Sequence, residues 1–310
     1  MNEYCLVIGA TNLDICGKAN NLLIKGDSTL GSIKETVGGV GHNIAVNLAL
    51  LGIQTTFITT VGNDSFSLII QKELEKYPEL ELIVNKVEHS SGLYLYIENQ
   101  KGEMINAINQ MEINNYLTPE VLSEHKELIK KAKLVIIDTN IPQESIGYIL
   151  SLNPNNLIDP VSCAKSQKLL PFLNKIKILK PNLIELETLT KRTIKTESEL
   201  IYACKALIEL GVETIIATRG KQGALYFDKT TTLFVENPTV DNIINTTGAG
   251  DAFCSGVSFS LMHNLSPLDI IKVAMECSII TMQSESPISD KLNQTRIKEL
   301  INESIFRYRT

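Results

Sequence analysis

Short, nearly continuous apolar runs recur along the chain at Cys5 to Ile8, Thr55 to Val61, Leu134 to Ile137, Asn156 to Ile158, Lys177 to Leu179 and Glu213 to Ala217. Runs of this length, rich in β-branched residues, predict strands buried on both faces. Between them apolar positions follow helical spacing over Ile44 to Leu51, Ser65 to Glu75, Pro119 to Ala132, Ile184 to Leu189 and Ser198 to Leu210. This alternation predicts an α/β fold, a doubly wound, mostly parallel sheet with helices on both faces. Gly52 and Gly211 stand just past helix ends, where C-cap glycines belong, and Thr118-Pro119 supplies a threonine cap followed by proline at the first helical position.

Two stretches, Asn21 to Thr36 and Gly92 to Ile108, break this rhythm. Leu93, Leu95 and Ile97 alternate with Tyr94, Tyr96 and Glu98, and a turn at Asn99-Gln100-Lys101-Gly102 leads into Met104 to Ile108, a hairpin signature. Strands inserted at about 18–36 and 92–110 are expected to meet as a small antiparallel β-sheet lid on a single domain spanning 1–310. One lid face would look toward a site, and the other would need cover from the main domain or from a second copy of the chain.

Composition narrows the class. With 310 residues, 44% hydrophobic and 21% charged, the chain reads as a globular α/β unit. No apolar stretch reaches the ~18 residues of a membrane helix, and the acidic opening lacks the basic start of a signal peptide, so a cytoplasmic protein with no membrane partner is expected. A formal charge of −6 argues against a nucleic-acid partner. Six cysteines without any C-x-x-C pair read as reduced, packed thiols.

Four segments could carry chemistry. Asn245-Thr246-Thr247-Gly248-Ala249-Gly250-Asp251 leads into a run of small and apolar residues, Cys254 to Met262, and reads as a glycine loop entering a buried helix. Bare backbone N–H groups at a helix start suit a phosphate. Asp251 would repel that anion unless it either caps the helix or takes a proton from an attacking hydroxyl. Gly38-Gly39-Val40-Gly41-His42-Asn43 precedes a helix with Asn43 and Asn47 on one face; it admits a ligand against backbone, or merely packs tightly. Lys180-Pro181-Asn182-Leu183-Ile184-Glu185 sets an amide and a carboxylate three apart at a strand-to-helix turn, where both could face hydrated magnesium or solvent. Thr218-Arg219-Gly220-Lys221-Gln222-Gly223 ends a strand with glycines that allow close approach to a nucleotide, or form an ordinary turn. In an open parallel sheet all such segments collect beyond the carboxyl ends of the strands.

The order of these segments resembles the ribokinase-like (PfkB) family of carbohydrate and nucleoside kinases over essentially the whole chain. The resemblance implies ATP and Mg2+ as cosubstrate and cofactor. It implies Asp251 as catalytic base, Gly248, Ala249 and Gly250 as an anion hole, and Asn182 and Glu185 as the magnesium group, Glu185 acting through water. Thr218, Gly220 and Gly223 fall on the ATP side, while Asn12, Asp14, Gly38, Gly39 and Asn43 fall on the acceptor side. Gly9 to Ile15, Gly38 to Gly41, Ala107-Ile108-Asn109, Asp159 to Ser162 with Lys165, and Asn245 are similar to the pseudouridine kinase branch. This implies phosphorylation of a ribonucleoside 5′-hydroxyl, while the alternation of Tyr94 and Tyr96 with Leu93, Leu95 and Ile97 predicts a homodimer through the lid. Thr29-Leu30-Gly31, His42 and Gln110 stand where that branch has Asn-Pro-Gly, arginine and aspartate. Asn245 replaces the aspartate of monovalent-cation-activated relatives, which leaves a potassium requirement open. The alternatives are a sugar or sugar-phosphate kinase, whose phosphate clamp would have to come from Lys25, Lys34 or His42, and a catalytically silent nucleoside-binding protein.

Overall fold

The computed structural model describes residues 3–238, 240, 242–301 and 306–310. Along the chain the strands are β1 Cys5–Ile8, β2 Asn12–Ala19, β3 Gly31–Gly38, β4 Thr55–Gly62, β5 Leu80–Val87, β6 Leu93–Glu98, β7 Met104–Gln110, β8 Leu134–Asp138, β9 Asn156–Asp159, β10 Ile178–Leu179, β11 Thr214–Thr218, β12 Ala224–Asp228, β13 Thr232–Val235 and β14 Tyr308–Arg309. The helices are α1 Val40–Leu50, α2 Ser65–Leu74, α3 Pro119–Ser123, α4 Lys126–Lys131, α5 Gln143–Leu152, α6 Cys163–Ser166, α7 Leu183–Thr190, α8 Glu197–Glu209, α9 Ala249–Met262, α10 Pro267–Met282 and α11 Gln294–Ile301.

The large sheet has the order β14-β13-β12-β11-β10-β9-β8-β1-β4-β5 and is parallel from β5 to β11, antiparallel beyond. Alternate side chains of a strand point to opposite faces. In β1, Cys5 and Val7 join one core with α1, α2, α9 and α10, whereas Leu6 and Ile8 join the other with α5, α7 and α8. This double burial is why the central strands read as unbroken apolar runs. Each of the six expected strands is present.

The expected helix Pro119 to Ala132 is two helices, because Glu124 and His125 donate to carbonyls three residues back and interrupt the ladder. Thr118 does occupy the N-cap position, yet its side chain makes no capping bond. No helix among the described residues is long and apolar enough to cross a membrane. The six cysteines are free, four of them buried.

The second sheet has the order β3-β2-β6-β7, antiparallel except where β2 meets β6. Its first half begins at Asn12, earlier than the expected residue 18, and residues 21–30 form no strand. The hairpin of the second half turns at Asn99 to Gly102 as expected, with Gly102 N–H donating to the Asn99 carbonyl.

Beyond the carboxyl ends of the strands, β1 leads one way to the lid and β4 while β8 lies on its other side. Such a reversal opens a crevice. The backbone there is pinned by Asp138 at the end of β8, whose Oδ2 accepts the Ala10 N–H at 2.8 Å.

The floor of the crevice rests on the packing of α9 against α10, which Gly256 makes possible: a Cβ placed there would lie 2.6 Å from Ala274 Cα. Glycine to alanine inside a helix ordinarily gains roughly 0.5–1 kcal/mol. Gly256→Ala is instead expected to lose about 1–3 kcal/mol by overpacking, read as a lower denaturation midpoint at unchanged slope.

Candidate active site

The acceptor-side residues converge at the start of α1. Gly39 takes φ 104°, and a Cβ on it would sit 2.6 Å from the Ala10 carbonyl, so only glycine lets the β1–β2 connection lie this close. Asn12 and Asp14 open β2 opposite Gly38 and Thr36 of β3, with Asn12 Nδ2 donating to Asp14 Oδ1 at 2.5 Å. Burial pushes the Asp14 carboxyl up to about 6, partly offset by the Asn12 bond. Asn43 emerges one turn into α1 and donates from Nδ2 to Asp251 Oδ2 at 2.7 Å. This bond spans the two halves of the crevice.

The phosphate-side residues collect at the start of α9. Gly248 is its N-cap in the left-handed region, φ 80°, and no side chain caps the helix. Ala249 N–H is turned back onto the Thr246 carbonyl at 3.3 Å, so the first-turn N–H groups of Gly250 and Asp251 are the ones left open, with the positive end of the helix dipole behind them. Asp251 does not cap, since its carboxylate reaches across to Asn43 instead. Burial and the nearby Asp159 push its carboxyl up to about 7, against the pull of Asn43 and Lys180. Asn245 ends the preceding loop with its amide oxygen accepting the Thr247 N–H at 2.9 Å.

Thr218, Gly220, Gly223, Ala249, Gly250 and Phe253 share a cavity of about 620 Å3, whose remaining wall is largely apolar and includes Met275 and Met282. Such a slot suits a flat heterocycle, while its inner end meets the open N–H groups of α9. Asn182 is bridged to Thr218, which brings the third and fourth motifs together.

Asn182 and Glu185 form a capping box at the start of α7. Asn182 Oδ1 accepts the Glu185 N–H, and Glu185 Oε2 accepts the Asn182 N–H, each at 2.9 Å. One lone pair of the amide is thus spent on the helix. A magnesium ion fits this donor set only through water at Glu185, with substrate phosphates completing the shell. In keeping with that, no cluster of three or more histidine, cysteine or carboxylate groups assembles a metal cage among the described residues.

Two charged groups that the sequence reading placed in motifs without giving either a role lie between the halves. Lys180 Nζ pairs with Asp159 Oδ2 at 2.9 Å, both nearly inaccessible, and also donates to the Gly250 carbonyl at 3.3 Å. Burial opposes the Lys180 charge, and Asp159 outweighs it, so the ammonium stays above its ordinary range. Each residue directly follows or ends a parallel strand, which was the signal available in the sequence.

Comparison with known proteins fits this geometry. Residues 2–294 match the profile of the pfkB family carbohydrate kinases. The chain is similar to the pseudouridine kinase of Escherichia coli K12, 34% identical over 304 residues and covering 96% of each chain. Among solved structures it is similar to a carbohydrate kinase from Agrobacterium tumefaciens (TM-score 0.87, 23% identity, 99% of this chain and 100% of that one). It also resembles Arabidopsis thaliana ribokinase complexed with ribose and ATP (TM-score 0.82, 20% identity, 98% and 100%). The last two likenesses concern the fold.

The raised Asp251 pKa has a consequence for stability. Folding favours the protonated carboxyl, so this group's stability contribution is full below its ordinary pKa of 3.8 and is lost as pH rises through about 7. Asp251→Asn cannot ionise and is expected to melt above the parent chain at pH 8, the gain shrinking as pH falls toward 4. Thermal melts across that range check it; a capping role would lower the melting point at every pH.

Proposed function

The chain belongs to the pfkB family of carbohydrate kinases, and from that premise we propose that it transfers the γ-phosphoryl group of ATP to the 5′-hydroxyl of a ribonucleoside, pseudouridine foremost. The observation that carries the reading is the Asn43–Asp251 bond, because it sets the only carboxylate on the first turn of α9 beside the acceptor residues. ATP would lie with its base in the cavity near Phe253 and Met275 and its phosphates at the start of α9. The acceptor would lie against Gly39 with its hydroxyls on Asn12, Asp14 and Asn43.

In the reaction, the hydroxyl oxygen forms a bond to the γ-phosphorus, the bond to the β–γ bridging oxygen breaks, ADP leaves, and the hydroxyl proton passes to the Asp251 carboxylate. The N–H groups of Gly248 and Gly250 would stabilise charge on the phosphoryl oxygens from a preorganised position, with Ala249 N–H joining them by exchanging the Thr246 carbonyl for a phosphoryl oxygen. Thr218, Gly220 and Gly223 border the nucleotide. Glu185 would hold Mg2+ through water, with Asn182 fixing the orientation of Glu185; when bound, the ion neutralises phosphate charge. Lys180 completes the positive surroundings of the phosphates from beneath Gly250.

Support for a nucleoside comes from the 34% identity to pseudouridine kinase and from the lid. Asp14, Tyr94 and Asn109 are registered neighbours across β2, β6 and β7, so they share the site-facing side of the sheet. The rings of Tyr94 and Tyr96, 5.4 Å apart, give that side a surface for a flat base. A sugar phosphate would need a cationic clamp: His42 is buried and held neutral and Lys25 stands exposed on a turn, which leaves Lys34, exposed on β3 opposite Cys16 and on the same side of the lid as Asp14, as the one candidate for that alternative.

The assay that tests this is coupled ADP release across pseudouridine, uridine, adenosine, ribose, fructose and fructose 6-phosphate. Pseudouridine is expected to give the highest kcat/KM, and Asp251→Asn to lower kcat by roughly 10² to 10⁴ while both substrates still bind. Preference for a free sugar or its phosphate would replace the nucleoside reading, and a near-normal Asp251→Asn would remove the base.

The outer lid face carries Ile33, Leu95, Ile97 and Ile108, all exposed, Ile33 to 77%. A contiguous apolar sheet face of this kind calls for a partner, and a second lid is the proposed one. Light scattering is expected to give a dimer at micromolar concentration, with Ile33→Lys yielding monomers. A fully active monomeric parent chain would exclude this arrangement.

A further inference from the structure

Behind Asp251 lies a second layer of hydrogen bonding. Asn43 gives its NH2 end to Asp251 at 2.7 Å, so its amide oxygen points away from the carboxylate and lies 3.1 Å from His42 Nδ1. An amide oxygen can only accept, so Nδ1 must carry the proton and Nε2 the lone pair. The ring is 1% exposed. Its Nε2 is buried without a hydrogen-bond partner among the described residues, and the residue lines a cavity of about 320 Å3 shared with Glu73 and Tyr77. His42 is therefore held by polar contact at one nitrogen alone, the one that meets Asn43.

This matters because a primary amide can present either end. Turned over, Asn43 would set its oxygen against the Asp251 carboxylate, lone pair against lone pair, and its NH2 against the His42 N–H. We propose that His42 is a positioning residue: its Nδ1–H fixes the Asn43 amide so that the NH2 end meets Asp251, keeping that carboxylate ionised and aimed at the acceptor. The inference rests on the reading of Asp251 as the base. A neutral ring holds the Asn43 oxygen without placing a fixed charge behind that base.

Burial holds the His42 imidazole down to about 4, so the ring is neutral throughout the working range. The other groups that act on Asp251 are Asp159 on β9, Lys180 after β10, Asp138 on β8 and Cys254 on α9 itself, with Glu185 coupled to Lys180 and Asp159. Glu73 on α2 faces His42. Replacing His42 leaves all of them in place.

A hydrogen bond donated to a carboxylate favours its ionised form. His42→Leu, which frees the Asn43 amide to turn, is thus expected to move the acidic limb of kcat/KM upward by about one pH unit and to lower kcat about fivefold at pH 7, with ATP KM unchanged. His42→Asn, whose amide can donate from a similar place, should return the limb toward that of the parent chain. The same shift should appear in the Asp251 carboxyl resonance of selectively labelled protein, a readout that holds even if Asp251→Asn were found active and the base reading failed. Imidazole nitrogen shifts of the parent chain should report the Nδ1–H tautomer. An Nε2–H tautomer, or a folded His42→Leu whose Asp251 titration is unmoved, overturns the proposal; so does a His42→Leu that loses activity with no change in the pH profile.

Discussion

The hydrogen bond from Asn43 to Asp251 is the contact on which the site depends. It joins α1, which follows the lid strand β3, to α9, which follows the loop beside the 620 Å3 cavity, although the two residues are far apart in the chain. Neither helix can shift to meet the other. Most of α1 is buried, and α9 is locked to α10 through the glycine notch at Gly256. Ser255 adds a second tie, its hydroxyl lying within bonding distance of both the Asp251 and the Ile44 carbonyls. The amide and the carboxylate are thus held at 2.7 Å by packing that has no polar purpose of its own.

Around that contact the charges are met by one ion pair and by neutral hydrogen-bond donors. Three carboxylates, Asp138, Asp159 and Asp251, end strands or begin a helix at one edge of the sheet, and one buried lysine lies among them. Two backbone N–H groups hold Asp138, and Lys180 holds Asp159. Asp251 has a single neutral donor and is left the weakest satisfied of the three. A carboxylate whose pKa lies near neutrality is suited to gain and lose a proton.

Much of this was legible in the sequence, and the exceptions have a common cause. Strands buried on both faces announce themselves as apolar runs, so β1, β4, β8, β9, β10 and β11 could be read directly. β2 could not: Asp14, Cys16 and Lys18 give its site face a polar look, and a strand of the lid has no second core to demand apolar residues there. The glycine loops and Asp251 were readable because backbone approach and helix starts leave local marks. The roles of His42, Lys180 and Asp159 were not, since each depends on which strand or helix lies alongside. Lys180 meets Asp159 only because β9 and β10 are adjacent in the sheet, and His42 acts only through what Asn43 touches. In the same way Asn182 and Glu185 read as a metal group in the sequence, and the capping box they form first serves α7.

The lid also bears on how the chain folds. Its two halves are joined by the parallel ladder in which Leu13 meets Leu93 and Lys18 meets Glu98, with β4, α2 and β5 coming between them in the chain. Closing so long a loop is entropically costly and yields little until the intervening elements have docked on β1. The lid is therefore expected to arrive late on the folding route and, having no second core behind it, to be the first part to open in the native state. Amide exchange would be fastest there and slowest in β1 and β8. A roof that comes on last and loosens first over a floor that cannot move gives the acceptor a way in without disturbing the groups that act on it.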